Sequence, residues 1–471
     1  MRNSAAAAGL LLLRGAATAL IFASGFSAVS DDDFARLVIA QRLALAPTLD
    51  PSGTSWLPLP FYVYGAAFAA FGTSLMVARA VAVTLSLGSV LCVWRAALLL
   101  GLSERAAALA GALVALLRSS LYLGSASVPE VPSAALCVLA AACLSGSSRT
   151  RLLGAAAVFA ACACRYEPWA VAAVYVALCL WDFWKTRERT QVFAALVAAA
   201  FPLAWLLHGL VRHGNPTFFV ARVAAYRAAL GPLDDLSERL LRAPSGLLFG
   251  EPELMLAFCC VGLPLWWLTR GEHANTPRFG RFAAALAAIV LFLVLGDVRG
   301  AAPTHHASRA LLGVWFGAAV FLGWVALRVT ALPELRLKAL IAAFFAVAFG
   351  ARLRAAQPRE PFADRDDAVH VGQQARRLGA DKLAIDSRDF SFFAVQAGFG
   401  RPDRTQVLCD HDPRHACASD LLLTAPPTLR QTLLARGASH LASTRVRTAN
   451  VQLGTVVARS GDWELVQLSN E

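Results

Sequence analysis

The apolar residues of this chain occur in long runs that are separated by short polar segments. A helix that crosses a membrane needs about 20 mostly apolar residues, and by this criterion the chain has eleven candidate spans. The pattern therefore predicts an α-helical polytopic membrane protein. The predicted spans are residues 5–29, 75–100, 104–120, 129–145, 152–166, 168–184, 191–211, 253–269, 282–297, 308–328 and 338–354.

Two N-terminal segments need separate treatment. Residues 1–28 resemble a signal peptide, but their apolar run is too long and too interrupted, so we expect an uncleaved first helix. Residues 57–71 are amphipathic and aromatic with prolines at their start, which is typical of a helix that lies in the membrane interface.

The composition agrees with a membrane protein. Of the 471 residues 57% are hydrophobic and 16% are charged, and the mean hydropathy is +0.56, whereas soluble domains have about 25% charged residues. The net charge is +12, but the basic residues are spread between the apolar runs. They form no patch for nucleic acid, and their spread fits membrane topology instead.

Charge predicts the orientation of the spans. If the N-terminus is cytoplasmic, every short connection on that side contains arginine or lysine, as the positive-inside rule requires. The opposite side then receives the acidic residues, the long segment 212–252 and everything after about residue 355. We therefore expect a multi-pass protein of the cytoplasmic (inner) membrane with an extracytoplasmic C-terminus. The basic residues assigned to the cytoplasm are Arg105, Arg149, Arg151, Lys185, Arg187, Arg189, Arg270, Arg278, Arg281, Arg328, Arg336 and Lys338.

After the last span the pattern changes to that of a soluble domain. Residues 355–471 alternate helical periodicity with short apolar strands and end in a hairpin, which predicts a small α/β domain beside a membrane domain of residues 1–354. No phosphate-binding glycine loop occurs in this tail, and we see no catalytic motif there. Cys409 and Cys417 flank a polar loop and either form a disulfide or remain thiols.

Three consecutive carboxylates, Asp31, Asp32 and Asp33, follow the first span, and Arg36 lies one turn beyond them. A charge at mid-bilayer costs about 2.5–3.5 kcal/mol on insertion scales, so these residues belong at the membrane surface. One aspartate would suffice to end a span, and three repel one another unless a cation or a proton-donating substrate is near. A carboxylate at the mouth of a cavity is a candidate general base.

Further ionisable residues interrupt later outward-facing connections. Glu130 precedes the fourth span, where stabilisation by the helix dipole is an equally good explanation. Arg165, Tyr166 and Glu167 interrupt a hydrophobic hairpin, and they form either a structural ion pair or part of a cavity. The motif around Asn215 predicts an interfacial or re-entrant loop with an Asn-Pro turn.

A histidine pair with a nearby arginine lies between two later spans. His305, His306 and Arg309 suit a phosphate, because arginine binds phosphate bidentately. A solvated loop with an incidental histidine pair is the alternative. An aspartate cluster is also able to hold a divalent metal ion, so the sequence establishes no cofactor and leaves a metal open.

The order of these motifs resembles the GT-C superfold of integral-membrane glycosyltransferases, in particular the mannosyltransferase-like and aminoarabinose-transferase-like group. The resemblance covers about residues 1–350. The features that carry it are the acidic residues Asp31–Asp33, the segment Trp56–Pro60, Glu130, the Arg-Tyr-Glu-x-Trp sequence Arg165–Trp169 and the loop Gly214–Pro216.

The resemblance implies an inverting hexosyl- or pentosyltransferase that moves a sugar from a polyprenyl-phosphate donor to a glycan, lipid or protein acceptor outside the membrane. The aspartate after the first span would deprotonate the acceptor. This chain has three aspartates where the family has an acidic pair, so the base is open among them, and we favour Asp32. Membrane lipids are the other expected partner. The residues expected to bind substrate are Arg36, Trp56, Glu130, Arg165, Tyr166, Glu167, Asn215, His305, His306 and Arg309.

Two other classes of protein compete with this interpretation. A transporter or lipid-linked-sugar flippase also places acids and arginines in membrane segments, but those residues lie near the midplane and often in paired halves. A scaffold that presents the α/β tail would not explain ordered acids and cations on one face.

Overall fold

The structure is a computed structural model, and it describes residues 2–231, 235–269, 279–300, 307–331, 364–414, 426–444 and 453–468. Within these ranges four helices are long and apolar enough to cross a membrane, and the number is six if each of two bent helix pairs is one span. Shorter apolar helices pack between them. The polytopic helical architecture is confirmed.

Helices occupy ten of the eleven predicted spans, and the predicted span 338–354 lies outside the described residues. A π-helical turn, Phe258–Gly262, joins two short helices of the eighth predicted span. The helices of the membrane region are α1 Arg2–Ala23, α2 Asp31–Leu45, α3 Leu59–Phe71, α4 Leu75–Leu99, α5 Glu104–Leu116, α6 Arg118–Ser125, α7 Glu130–Cys143, α8 Ser148–Cys164, α9 Pro168–Thr186, α10 Arg189–His213, α11 Phe218–Leu230, α12 Leu236–Gly250, α13 Pro252–Ala257, α14 Leu263–Thr269, α15 Phe279–Val298, α16 Ala307–Ala310 and α17 Leu312–Ala331.

A buried arginine in the first helix holds a broken helix together. Helices α5 and α6 meet at an angle of 64°, and such a break leaves backbone carbonyls without their helical donors. Arg14 donates to the carbonyl oxygens of Ala115 at 2.9 Å and Ser120 at 2.5 Å, and to the hydroxyl of Ser86 at 2.8 Å. The guanidinium of Arg14 thus has hydrogen-bond acceptors although it is buried among apolar residues. The same bonds connect α1 to α4, α5 and α6.

The predicted interfacial helix is present as α3, and a second helix that the apolar pattern did not predict, α2, precedes it. Ser30 is the N-cap of α2, and the Asp33 carboxylate, three residues later, accepts a hydrogen bond from the Ser30 backbone amide at 3.1 Å, as in a capping box. The long segment 212–252 also contains helices, α11 and α12, where we expected a loop.

The tail has the predicted α/β character. Its elements are α18 Asp366–Arg377, β1 Leu383–Asp386, α19 Phe392–Phe399, β2 Thr405–Val407, α20 Pro426–Ala435, β3 His440–Thr444, β4 Thr455–Ser460 and β5 Trp463–Gln467. Its sheet has the order β2-β1-β3-β5-β4, with β1 parallel to β2 and β3, and the remaining neighbours antiparallel. The prediction missed one helix and one strand, α19 and β3. The predicted boundary between residues 354 and 355 lies outside the described residues.

The tail packs directly on the membrane region. Helix α19 lies against α2, and the buried side-chain amide of Gln41 donates to the carbonyl oxygens of Ala397 and Thr73, each at 3.1 Å. Apolar residues of α2, α3 and the tail form one continuous core. Cys409 takes part in a disulfide bond, while Cys417 lies outside the described residues.

Candidate functional site

A cavity of about 600 Å³ lies between α2, the loop before α3, the segment that joins α8 to α9, helix α11 and the tail. Most of the residues proposed from the sequence border this one space. Those that line it are Asp31, Asp32, Arg36, Trp56, Glu130, Arg165, Tyr166, Glu167 and Arg309.

The three consecutive aspartates have three different surroundings. Asp33 is buried, and its carboxylate accepts hydrogen bonds from the backbone amides of Val29, Ser30 and Ser127 at 2.8–3.1 Å. Burial raises the pKa of Asp33 to about 6, although the Ser127 amide opposes the shift. Asp33 does not line the cavity, and its carboxylate anchors the start of α2 to the segment before α7.

Asp31 is bound by the tail. Its two carboxylate oxygens accept from Nε and Nη2 of Arg365, both at 3.0 Å, and Nη2 of Arg365 also lies 2.8 Å from Asp389. Burial raises the pKa of Asp31, and the guanidinium of Arg365 lowers it. A residue 334 positions away in the sequence therefore holds this carboxylate.

Asp32 lines the cavity, and its carboxylate accepts no hydrogen bond from any residue that the structure describes. It lies close enough to Arg36 and Tyr226 to influence both electrostatically. Of the three aspartates, Asp32 is thus the one with a carboxylate available to a substrate.

Arg165 forms the centre of a buried ion cluster, which we call the cavity cluster and define as Glu130, Arg165 and Glu167. Its Nη1 donates to Glu130 at 2.6 Å, and its Nε and Nη2 donate to Glu167 at 3.0 and 2.5 Å. Both glutamates are buried. Glu167 precedes α9 and Glu130 is the first residue of α7, so the cluster joins two helix starts to the end of α8.

Arg36 differs from Arg165 in that, within the described residues, it makes no hydrogen bond or ion pair to a carboxylate, although Glu130 and Asp32 lie close enough to act on its charge. The guanidinium lies over the Trp56 ring, 4.4 Å from the ring centroid, which is the geometry of a cation–π contact. Its Nε is buried and donates no hydrogen bond within the described residues. The Arg36 head group is held in place by stacking while its donors remain available to an anion.

Aromatic residues and Arg309 fix the walls around these charges. Tyr166 donates its hydroxyl to the carbonyl oxygen of Ser55 at 2.7 Å, and its ring stacks on Phe219 with centroids 4.3 Å apart. The tyrosine thereby ties the loop before α3 to the end of α8. Arg309 donates to the Ser30 hydroxyl at 3.3 Å and lines the cavity beside Glu130.

The remaining predicted site residues do not join this group. Asn215 does not line the cavity, and its side-chain oxygen accepts from the Thr217 amide at 2.9 Å as part of the expected turn. His305 and His306 lie outside the described residues.

The tail contributes cavity residues that sequence reasoning missed. We saw no chemistry after residue 355, yet the helix α19 and the loop after β2 supply both aromatic and charged lining. Helix α11 adds two polar side chains. No motif marks these positions, because they reach the cavity only through tertiary packing. The added lining residues are Arg222, Tyr226, Phe390, Phe392, Phe393, Gln396, Asp410, Asp412 and Arg414.

Solved structures share this architecture. ArnT from Cupriavidus metallidurans bound to undecaprenyl phosphate aligns with a TM-score of 0.60 at 11% identity, and its apo state with 0.61 at 13% identity, each over 98% of both chains. The archaeal oligosaccharyltransferase AglB from Archaeoglobus fulgidus, in complex with an inhibitory peptide and a dolichol-phosphate, aligns with a TM-score of 0.50 at 13% identity over 94% of this chain and 69% of that one.

No protein-family model and no curated protein matches the sequence at a significant level. The structural likeness, which includes the tail, confirms the GT-C fold that the sequence motifs predicted. At this level of identity the likeness establishes the fold, and what the cavity does has to be argued from its own residues.

Proposed function

We propose that this protein is a membrane glycosyltransferase that moves a hexosyl or pentosyl group from a polyprenyl-phosphate-linked donor to a glycan, lipid or protein acceptor on the extracytoplasmic side. The observation that carries the proposal is the cavity in which the free carboxylate of Asp32 and the available guanidinium of Arg36 lie together. ArnT, which shares this fold over 98% of both chains, binds undecaprenyl phosphate. This likeness supports a polyprenyl-phosphate-linked sugar as the donor.

Asp32 is the proposed general base. A base has to reach the acceptor hydroxyl and must not already be neutralised by an ion pair. Asp33 is used by three backbone amides, and Asp31 is held by Arg365. Asp32 lines the cavity and, among the described residues, has no hydrogen-bond donor.

Arg36 is the proposed ligand of the donor phosphate. A planar guanidinium binds phosphate oxygens bidentately and stabilises the charge that develops as the phosphate leaves. The three nitrogens of Arg165 already face Glu130 and Glu167, so we assign Arg165 to holding the cavity wall. Arg309 lines the same space and is a second candidate for the phosphate.

In the proposed reaction the acceptor oxygen attacks the anomeric carbon of the sugar while Asp32 takes the acceptor proton. The new bond joins the acceptor oxygen to the anomeric carbon, and the bond from that carbon to the phosphate oxygen breaks. The electron pair leaves with the polyprenyl phosphate, whose added negative charge faces Arg36. Attack opposite to the leaving group inverts the anomeric configuration.

The predicted topology gives this site a place at the membrane surface. With the N-terminus in the cytoplasm, the start of α2, the α8–α9 connection and the tail all lie on the extracytoplasmic side. We propose this orientation in the cytoplasmic membrane, and the division into domains of residues 1–354 and 355–471. A polyprenyl tail would then remain in lipid while the phosphate enters the cavity.

The test is a transfer assay on membranes that contain the full chain, with a panel of polyprenyl-phosphate hexoses and pentoses, with and without a chelator. Asp32→Asn should lower the rate by about 10²–10⁴-fold, the usual contribution of a general base, while the amount of inserted protein stays unchanged.

Asp381→Asn is the matched control, because Asp381 is an exposed aspartate of the tail that does not line the cavity. It should retain the wild-type rate. A wild-type rate in Asp32→Asn would overturn the assignment of the base. Movement of the intact lipid-linked sugar across the membrane, with no cleavage of the sugar–phosphate bond by the wild type, would overturn the transferase and indicate a flippase.

A further inference from the structure

A second cluster of chemically active side chains lies outside the cavity lining, at the end of α10. Asp50, in the loop after α2, and His208 and His213, in the last turns of α10, place one ligand atom each within 4.8 Å of one another. Among the described residues this is the one such group of three or more histidine, cysteine or acidic side chains. The consecutive aspartates Asp31–Asp33 do not form one.

His208 has an unsatisfied ring nitrogen at the centre of this group. Its Nε2 is buried, has no hydrogen-bond partner among the described residues, and lies 3.4 Å from Oδ2 of Asp50. Buried polar atoms in proteins are almost always bonded. A buried nitrogen that lies 3.4 Å from a carboxylate oxygen without a hydrogen bond to it leaves both atoms able to bind a further group.

Both imidazole rings are held in fixed orientations. His208 stacks on Trp205 with centroids 4.9 Å apart, and His213 stacks on Phe218 with centroids 4.1 Å apart. The rings stand nearly perpendicular to each other at 78°. Two rings that are immobilised by aromatic neighbours and directed at one point lose little freedom when they bind a ligand there.

The carboxylate is prepared in the same way. Oδ1 of Asp50 accepts from the Gly53 amide at 3.1 Å and from the Ser52 hydroxyl at 3.4 Å, which leaves Oδ2 directed at His208. Hydrogen bonds of this kind orient the carboxylate ligands of metal ions. Nη1 of the nearby Arg222 donates to the Gly53 carbonyl oxygen at 3.2 Å, and its guanidinium also acts electrostatically on Asp50.

We propose that Asp50, His208 and His213 bind a divalent transition-metal ion, with Zn²⁺ as the best fit. Two imidazoles and one carboxylate are a common protein ligand set for Zn²⁺, with metal–ligand distances of about 2.0–2.2 Å. A tetrahedron with such bonds separates its ligand atoms by roughly 3.3 Å, which agrees with the 3.4 Å between His208 and Asp50. A water or another small ligand would complete the coordination.

The position of the site indicates a structural role next to the cavity. The loop that contains Asp50 continues through Ser52 and Thr54 to Trp56, all of which line the cavity. A metal ion would fasten this loop to the end of α10. It would thereby fix Trp56, on which Arg36 stacks, without contacting the reacting atoms. This site does not depend on the proposed transferase activity.

The competing arrangement is a direct contact between His208 and Asp50 without a metal ion, in which His213 takes no part. The experiment separates the two by measuring metal directly. The full chain is purified in detergent without a histidine tag, stripped with a chelator, dialysed against Zn²⁺ and analysed for bound metal. The wild type should retain one more Zn²⁺ ion per chain than each of the variants Asp50→Asn, His208→Gln and His213→Gln. Its affinity for this ion should be at least about 100-fold higher than that of the variants.

His370→Gln is the matched control, because His370 is an exposed histidine on α18, and it should bind as much Zn²⁺ as the wild type. Replacement of Zn²⁺ by Co²⁺ should produce the intense visible absorption of a tetrahedral site in wild type and His370→Gln only. His213 is exposed, so its variant is expected to fold even if the others do not. Equal Zn²⁺ binding by folded His213→Gln and wild type would overturn the proposal.

Discussion

Helices α8 and α9 carry an arginine–carboxylate cluster at each end, and the two clusters differ in what surrounds them. At one end is the cavity cluster of Glu130, Arg165 and Glu167. At the other end Asp182 binds Arg151 and Arg281, and we call these three residues the distal cluster. Asp182 is 2.6 Å from Nη1 of Arg151 and 2.8 Å from Nη2 of Arg281. None of the distal residues lines the cavity.

Paired charges do not by themselves mark a functional site. In both clusters the ion pairs connect helices, and in both a buried polar atom remains unbonded among the described residues, at Arg151 Nε and at Glu130 Oε2. The two clusters differ in the residues and the space next to them. Beside the cavity cluster lie the free carboxylate of Asp32 and the available donors of Arg36, and both face a space that is large enough for a substrate.

The largest effect is expected from Arg165→Gln. This change leaves the carboxylates of Glu130 and Glu167 buried without their cation, and breaking a buried ion pair costs about 3–5 kcal/mol. We expect a large drop in the thermal midpoint of the purified protein and loss of sugar transfer.

Arg165→Lys should be intermediate, because lysine keeps the charge but cannot donate to both glutamates in a fork geometry. The measurement is a thermal unfolding scan in detergent together with the transfer rate. A wild-type midpoint in Arg165→Gln would show that the cavity cluster does not hold the helices.

A smaller and more selective effect is expected from Arg36→Gln. Arg36 stacks on Trp56 and its Nε makes no hydrogen bond within the described residues, so stability should change less than in Arg165→Gln. Loss of a donor that stabilises developing charge lowers rates by about 10²–10³-fold. The transfer rate per folded molecule checks this, and a variant that loses stability but keeps its rate would remove Arg36 from the proposed mechanism.

The smallest effect on transfer is expected from Asp182→Asn in the distal cluster. The substitution leaves Arg151 and Arg281 without their carboxylate, but the Arg281 side chain is 35% exposed, and solvent screens the loss to about 1–3 kcal/mol.

The thermal midpoint of Asp182→Asn should fall, and the rate per folded molecule should stay within about twofold of wild type. Transfer assays normalised to the folded fraction measure this. A tenfold loss of rate would mean that the two ends of α8 and α9 are coupled, and that the contrast between the clusters is wrong.

The spans could be predicted from the sequence because burial in lipid requires apolar residues over a fixed length. The tail elements followed from periodicity in the same way. Helices α2, α11 and α12 were missed, since each mixes charged with apolar residues and none is long enough to cross a membrane. Helix α19 is almost entirely apolar and only eight residues long, so it resembles a short strand.

The candidate site was predictable only in part. Adjacent residues of a helix point about 100° apart. Asp31 therefore contacts Arg365 of the tail, Asp32 faces the cavity, and Asp33 accepts hydrogen bonds from backbone amides. In the sequence alone the three aspartates look equivalent, because their different surroundings arise only on folding. The partnership of Asp31 with Arg365, and that of Asp50 with two histidines of α10, join residues far apart in the chain, and no local pattern indicates such contacts.

Arg14 has a consequence for the biogenesis of the protein. Because its guanidinium donates to the carbonyl oxygens at the break between α5 and α6, removal of α1 by a leader peptidase would leave those buried oxygens without this donor. The bend between α5 and α6 therefore depends on a side chain of the first helix. If a cleavable export leader replaces α1, the remaining chain should insert into the membrane, but α4, α5 and α6 should not pack stably.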